Sequence, residues 1–288
     1  MKPQIAFLNG LFMDLHSARV SILDRGFCYG DGLFETMRSY RGRVFRLDAH
    51  IERLFSSLDH IGIHLPMTQG EIKRTIRHVM EKNQCPDSMV RLTVSRGEQE
   101  GGIVFNPDLP PTVAIYQRPL QLLPRKYYDE GIDVSLFPSS AFRVSGLARQ
   151  VKSCNFLSYI MIREQARKKN SMEGILIDEN NRIAEGTTSN IFMVRDGVLK
   201  TPEVSEYVLA GITRQVVLEI AASRSIAVSE TSLAPGDILA ADEVFITNSG
   251  IEMLPVKRVD GRKVGDGRPG EITRYLHREF LKSVERGN

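Results

Sequence analysis

The sequence predicts an α+β chain folded as two domains, each mixing strands with helices. Three observations carry this. A length of 288 residues exceeds what most single cores use. Runs rich in β-branched and aromatic residues alternate with segments whose apolar residues recur at three- and four-residue steps. Midway, "RPLQLLPRK", residues 118–126, has prolines near both ends and no periodicity. The expected division is a small N-terminal domain over 1–117, a linker over 118–126 and a larger C-terminal domain over 127–288.

Along the first half, "IAFLNGLFM" and "GLFETMRSYRGRVFRL" read as hairpins, the second turning at Arg41-Gly42. Asp48 precedes a helix in which Ile51, Leu54, Phe55, Leu58 and Ile61 form one apolar face, with Glu52, Arg53 and Ser56 off it. Thr68-Gln69-Gly70-Glu71 has the pattern of a capping box and opens a helix running to about Asn83. "SMVRLTVSRG" and "PTVAIYQ" are strands again.

The second half starts with a strand near Gly131–Pro138, followed by the Lys152 region and a helix marked by Phe156, Leu157, Ile160 and Met161. "EGILID", a turn at Asn180-Asn181, "RIAEGTTSNIFMV", a turn at Asp196-Gly197 and "GVLKT" make a meander. Ile212, Val216, Val217 and Ile220 space a helix that begins after Gly211. "EVFITNSG" is a buried strand ending in a polar turn, and a helix around Glu271–Val284 closes the chain.

Composition narrows the function classes. With 42% hydrophobic and 25% charged residues, the chain is an ordinary globular protein. A net charge of +3, from well-mixed acids and bases, leaves no nucleic-acid footprint. No apolar run approaches a membrane span and "MKPQIAFLNG" has no signal-peptide core, so the cytoplasm is expected. Cys28, Cys85 and Cys154 have no CxxC spacing, and of the six histidines only His60 and His64 form a helical-spacing pair, broken by Gly62. Neither a disulfide framework nor a metal site is expected.

Four places carry candidate chemistry. Lys152 stands apart from acids, unlike the solvated Lys168 and Lys169, and reads either as a strand-end lysine or as an amine held for chemistry. Gly211-Ile212-Thr213 puts amides and a hydroxyl at a helix N-terminus, which favours an anion, although a glycine there is also an ordinary loop ending. "TNSGIE", Thr247–Glu252, could present amides or simply turn. Arg53, alone, reads as a surface ion pair.

Taken together in order, "DRGFCYGDGLFETMRSY", "HIERL", "VKSCNFL", "EGTTSNIF", "GITRQVV" and "ITNSGIEMLPV" resemble the class IV, or fold-type IV, pyridoxal-phosphate enzymes. These include branched-chain aminotransferases, D-amino-acid aminotransferases and aminodeoxychorismate lyases. The resemblance implies the D-amino-acid-aminotransferase-like fold, with a small α+β domain and a larger cofactor-binding domain built on a barrel-like mixed sheet. It implies pyridoxal 5′-phosphate joined to Lys152 as an aldimine, which requires a neutral amine, and Lys152 as the base at the substrate carbon. Glu185 would accept the pyridinium N–H and keep the ring an electron sink. Arg53, Ile212, Thr213, Ser249 and Gly250 would hold the phosphate. Phe156 stands where some relatives have a tyrosine touching the ring hydroxyl.

By the same resemblance the substrates are amino and keto acids, and Tyr29, Phe34, Thr36, Arg38 and Arg91 line their pocket, Tyr29 and Arg91 at the carboxylate. The expected function is transamination, with branched-chain L-amino acids favoured. Met89 replaces a pocket tyrosine of that group. "EQEGGIVF", after "SRG", lacks the arginine and histidine of D-amino-acid aminotransferases. Thr36 and "TNS" are lyase-like, so release of pyruvate and 4-aminobenzoate from aminodeoxychorismate is the alternative. A homodimer is implied, with no nucleic-acid or membrane partner. Residues 118–126 and "FPSSAFRVSGLARQ" are candidate loops for closing the pocket across subunits.

Overall fold

The structure is a computed structural model describing residues 4–142 and 151–287; residues 143–150, most of the "FPSSAFRVSGLARQ" stretch, lie outside the described residues. The chain divides into two compact units, Met1–Gln121 with Val151–Asn155 and Gly287–Asn288, and Leu122–Gln150 with Phe156–Arg286.

Within the described residues, the first unit is an antiparallel sheet of six strands: β1 (Ile5–Leu8), β2 (Leu11–Asp14), β3 (Gly32–Tyr40), β4 (Arg43–Val44), β5 (Ser88–Ser95) and β6 (Thr112–Pro119), ordered β2-β1-β6-β5-β3-β4. Strand alternation gives its two faces different chemistry. Leu33, Met37, Val90, Leu92, Val94, Val113 and Ile115 turn to one face and form a core with Ile51, Leu54, Leu58, Ile72, Ile76 and Val79. Those last six come from α2 (Leu47–His60) and α3 (Gln69–Asn83). The expected capping box of α3 is present: Thr68 Oγ1 accepts from Glu71 N at 3.2 Å and Glu71 Oε2 accepts from Thr68 N at 2.7 Å. At α2 the expectation is corrected by one turn boundary. Asp48 lies inside the first turn, and Arg46, left-handed at φ 53°, makes the entry without a side-chain cap.

The opposite face follows from the register. Arg38, Met89 and Arg118 stand side by side on β3, β5 and β6, then Thr36, Arg91 and Tyr116, then Phe34, Thr93 and Ala114. Because β4 pairs only with the end of β3, the rest of that edge is open to another strand. Val151–Asn155 takes it: Phe34 N donates to Lys152 O at 2.9 Å, Cys154 N donates to Gly32 O at 2.8 Å, and Leu33 bridges Ser153.

In the second unit the described strands are β7 (Ile132–Pro138), β8 (Glu173–Ile177), β9 (Ile183–Gly186), β10 (Asn190–Arg195), β11 (Val198–Thr201), β12 (Val228–Glu230), β13 (Glu243–Asn248), β14 (Glu252–Val259) and β15 (Arg262–Lys263). They form a mixed sheet ordered β12-β11-β10-β13-β14-β7-β8-β9, with β15 on β14. Strand β9 (Ile183–Gly186) sits at one end of this path, yet only Thr187–Ser189 joins it to β10 (Asn190–Arg195). Gly186 N donates to Ser189 O at 2.6 Å across that turn, so the sheet curls back on itself. β13 (Glu243–Asn248) and β14 (Glu252–Val259) are buried at its centre, as the apolar run "EVFIT" requires. Of the helices that cover it, α4 (Lys126–Glu130) is short and α5 (Leu157–Lys168) buries Tyr159, Ile162 and Ala166. The spacing of Leu157, Ile160 and Met161 marks an exposed stripe instead, at 72%, 58% and 45%. α6 (Ile212–Ser223) is buried along Val216, Val217 and Ile220, α7 (Pro235–Leu239) is a single turn, and α8 (Glu271–Arg286) packs Leu276 and Phe280. None of the described helices is long and apolar enough to cross a membrane.

Candidate active site

Lys152 reaches its position through backbone pairing. Since Ser153 bridges core-facing Leu33, its neighbours Lys152 and Cys154 emerge on the sheet face opposite α2 and α3. There Lys152 Nζ lies 4.8 Å from the centroid of the Phe34 ring. Arg91 lies over the same ring, with Cζ 3.3 Å from the centroid, and donates from Nη1 to Thr36 Oγ1 at 3.1 Å and from Nε to Thr93 Oγ1 at 3.3 Å. Both acceptors are neutral. Burial lowers the affinity of Arg91 for its proton, and no carboxylate among the described residues pairs with it. A half-desolvated guanidinium of this kind is a ready receptor for an incoming carboxylate. Arg38 is on this face too, stacked over Tyr40 at 4.4 Å. Tyr29, by contrast, is 49% exposed at the end of the short helix α1 (Arg25–Tyr29), under the Arg25 guanidinium at 5.1 Å.

Arg53 is not a surface residue. Its Nε and Nη2 both donate to Glu35, each at 2.7 Å, and His50 Nδ1 meets Glu35 Oε2 at 2.8 Å. Glu35 and His50 are 1% and 2% exposed, so a carboxylate sits inside the core face of the sheet. Burial alone would raise the pKa of Glu35, but Arg53 and then His50 hold it well below the usual carboxylate range. Burial lowers that of His50, against Glu35 and together with Arg53 and Lys152, leaving a neutral imidazole beside an ion pair. Sequence patterning did not find Glu35 or His50. The available signal was an acid at a core-facing position of a strand whose neighbours are apolar.

The second unit gathers the other candidates. Glu185, 8% exposed at the end of β9, accepts at Oε2 from Asn190 Nδ2 (3.0 Å) and from Leu209 N (2.8 Å). Asn190 also donates to Leu209 O at 2.9 Å, and its Oδ1 lies where a Cβ on Gly211 would be, 1.9 Å from that point. Any larger residue at the entry to α6 would have to displace the Asn190 side chain. No side chain caps that helix, so the amides of Ile212 and Thr213 have no intrahelical partner and face outward. Across the ladder Asn190 pairs with Thr247, whose buried Oγ1 has no hydrogen-bond partner among the described residues. The turn that follows is organised by Asn248, whose Oδ1 accepts from Gly250 N (2.8 Å) and Ile251 N (2.9 Å). The Gly250 amide is thus engaged within the turn, and Ser249 is its apex.

Glu173 is the residue that sequence patterning missed here. Only 1% exposed, it accepts from the hydroxyls of Thr187, Thr188 and Ser189 and pairs with Arg163, so it fixes the loop after Glu185.

These donor sets fit a phosphorylated pyridine aldehyde. In the second unit the uncapped helix start and the Thr247 hydroxyl suit a phosphate and the buried Glu185 carboxylate suits a pyridinium N–H; in the first, taken by itself, Lys152 supplies an amine.

Comparison with known proteins agrees. The family model "Amino-transferase class IV" matches residues 32–259. A protein of Methanocaldococcus jannaschii named "Putative branched-chain-amino-acid aminotransferase" is 37% identical, over 95% of this chain and 94% of its own. The D-alanine aminotransferase of Bacillus licheniformis is 34% identical, over 96% and 95%. The crystal structure of the Escherichia coli branched-chain amino acid aminotransferase superposes with a TM-score of 0.90 at 29% identity, covering 98% of this chain and 94% of that one. The chain therefore belongs to the amino-transferase class IV family, and is a pyridoxal-phosphate-dependent transaminase of fold type IV.

Proposed function

We propose that the protein moves an amino group between branched-chain L-amino acids and a 2-keto acid, with Lys152 as covalent anchor and base. One observation carries this: the Lys152 amine, the apolar ring of Phe34 and the carboxylate-free guanidinium of Arg91 share one sheet face. An aliphatic side chain lies favourably against such a ring, and its carboxylate against Arg91. The branched-chain relatives support the choice, and so does "EQEGGIVF", which offers no basic pair for a D-substrate.

When bound, pyridoxal phosphate supplies an aldehyde and an electron-withdrawing ring. Arg53, the first-turn amides of α6, the Thr213 hydroxyl and Ser249 would hold its phosphate. Gly250 shapes the turn behind Ser249, and Glu185 would keep the ring nitrogen protonated. Lys152 Nζ would take the proton from the substrate Cα and return it at the cofactor's aldehyde carbon, C4′, two bonds away across the amino nitrogen, since a neutral amine on a flexible stem reaches both. Arg91, Tyr29, Thr36 and Arg38 would orient the substrate. A homodimer is the expected working form.

A second reading is favoured by Thr36. Its hydroxyl, held by Arg91 Nη1, lies on the Lys152 face, where it could serve elimination of pyruvate from aminodeoxychorismate. A panel of L- and D-amino acids with 2-oxoglutarate or pyruvate as acceptor, run beside Lys152→Ala, separates the possibilities. L-leucine, L-isoleucine and L-valine should be the best donors, and the variant should fold yet be inactive. Turnover confined to D-alanine would replace the proposal with the D-specific activity, and pyruvate release from aminodeoxychorismate without amino transfer would replace it with the lyase.

A further inference from the structure

The turn that carries Ser249 is held by side chains that the proposed chemistry does not use. Strands β13 and β14 pair as far as Asn248 and Glu252, so Ser249–Ile251 is a three-residue turn. Its exit is unusual. Glu252 has φ 57°, in the left-handed region, where a turn of this length ordinarily places glycine. Glu252 is also only 6% exposed, so the backbone here disfavours a side chain and the burial disfavours a charge. Neither is a reason to keep a glutamate. The carboxylate supplies one, because its Oε2 accepts from the Nε2–H of His277, on α8, at 2.9 Å. That imidazole is stacked on the Tyr128 ring of α4, with 5.6 Å between centroids and 14° between planes. The Tyr128 hydroxyl in turn donates to Ile251 O at 3.3 Å.

Two consecutive residues of the hairpin are therefore gripped from outside, Ile251 through its carbonyl and Glu252 through its side chain, while Asn248 fills the turn from inside. Beyond them Met253 and Leu254 are fully buried, so the strand cannot slide to relieve the strained exit. Charge-assisted hydrogen bonds to an anion are short and directional, and a hydroxyl that wanders makes them poorly. We propose that His277, with Glu252 and Tyr128, positions the cofactor phosphate: the imidazole holds the Glu252 side chain, and so fixes the hairpin whose apex is Ser249. This role rests on the reading that Ser249 meets the phosphate. It extends the cofactor site to the C-terminal helix, through a residue that touches neither cofactor nor substrate.

The test separates phosphate from ring. Full-length protein stripped of cofactor is titrated by equilibrium dialysis with pyridoxal phosphate and with pyridoxal, which has the same ring and aldehyde but no phosphate. A general loss of stability weakens both ligands, whereas a displaced turn weakens only the first. His277→Leu should lower the ratio of the two affinities about tenfold, the effect of one charge-assisted hydrogen bond. His277→Gln, whose amide can still donate to Glu252, should restore most of it. Glu252→Gly suits the left-handed backbone yet removes the carboxylate, so it should lower the ratio as His277→Leu does, and it gives the answer where the leucine variant fails to fold. An unchanged ratio in Glu252→Gly, or in a folded His277→Leu, overturns the proposal. Ser249→Ala is measured beside them. A ratio that falls in Ser249→Ala alone sinks the positioning role and leaves the phosphate reading standing; a ratio unmoved in Ser249→Ala takes the phosphate away from this turn, and the proposal with it.

Discussion

Arg53 would be of little use to a phosphate if its fork wandered, and Glu35 holds two of its nitrogens at 2.7 Å each. His50 completes the cluster by donating Nδ1–H to the same carboxylate. Its neutrality has a consequence for stability. Burial depresses the pKa of His50 in the folded chain, so below about 6.5 the unfolded chain binds a proton that the folded one does not. Stability therefore falls as pH drops through this range, with a slope of at most about 1.4 kcal/mol per pH unit from this one group. Glu35, also depressed, acts in the same direction, but only below about pH 4.3. Thermal melts of the wild type between about pH 7 and pH 5 should show this decline, and His50→Gln should flatten it. An unchanged slope in the variant would mean that His50 is already charged in the native state. None of this cluster was apparent from spacing, because Glu35 looks like any polar residue of an alternating strand until the helices show which face is buried.

At the level of elements, the entry to α6 shows how local sequence and tertiary packing divide the work. The apolar spacing of Ile212, Val216, Val217 and Ile220 was enough to predict the helix, and the uncapped start at Gly211 was enough to suggest an anion. What spacing could not give is the reason for the glycine. A side chain at this position would collide with Asn190 Oδ1, and Asn190 is the residue that holds Glu185 and Leu209. Gly211→Ala should therefore push Asn190 aside, disturbing the amides meant for the phosphate and the carboxylate meant for the ring together. Equilibrium dialysis should show cofactor retention weakened by about tenfold or more, with stability lowered by about 1–3 kcal/mol as in other overpacked sites. Retention equal to the wild type would separate Asn190 from the cofactor site. The helix starts repeat this division. The capping box of α3 was legible because its four residues are contiguous, whereas the left-handed Arg46 before α2 has no residue-type signature.

For the molecule as a whole, contiguous features were the legible ones. Hairpins, helices and the motif blocks lie within single stretches, so strand content and family could be read directly. Pairings between distant stretches could not. Val151–Asn155 joins the edge of β3, more than a hundred residues earlier, and that pairing alone decides which face Lys152 occupies. The arginine face is likewise a product of register, since Arg38, Arg91 and Arg118 are unremarkable in a chain with a net charge of only +3. The small net charge and the concentrated face make opposite predictions for salt. If overall charge drew anionic substrates in, added salt would change turnover little. A local cluster beside the reacting amine instead gives an attraction that falls as the Debye length shrinks from about 10 Å at 0.1 M salt to about 3 Å near 1 M. KM for a 2-keto acid should thus rise severalfold over this range while kcat changes little, because the arginines attract and orient the anion but do not move the proton. The rise should be steeper for a dicarboxylic keto acid than for a monocarboxylic one, and Arg91→Gln should suppress it for both. A salt-independent KM would show that these guanidiniums are neutralised before substrate arrives.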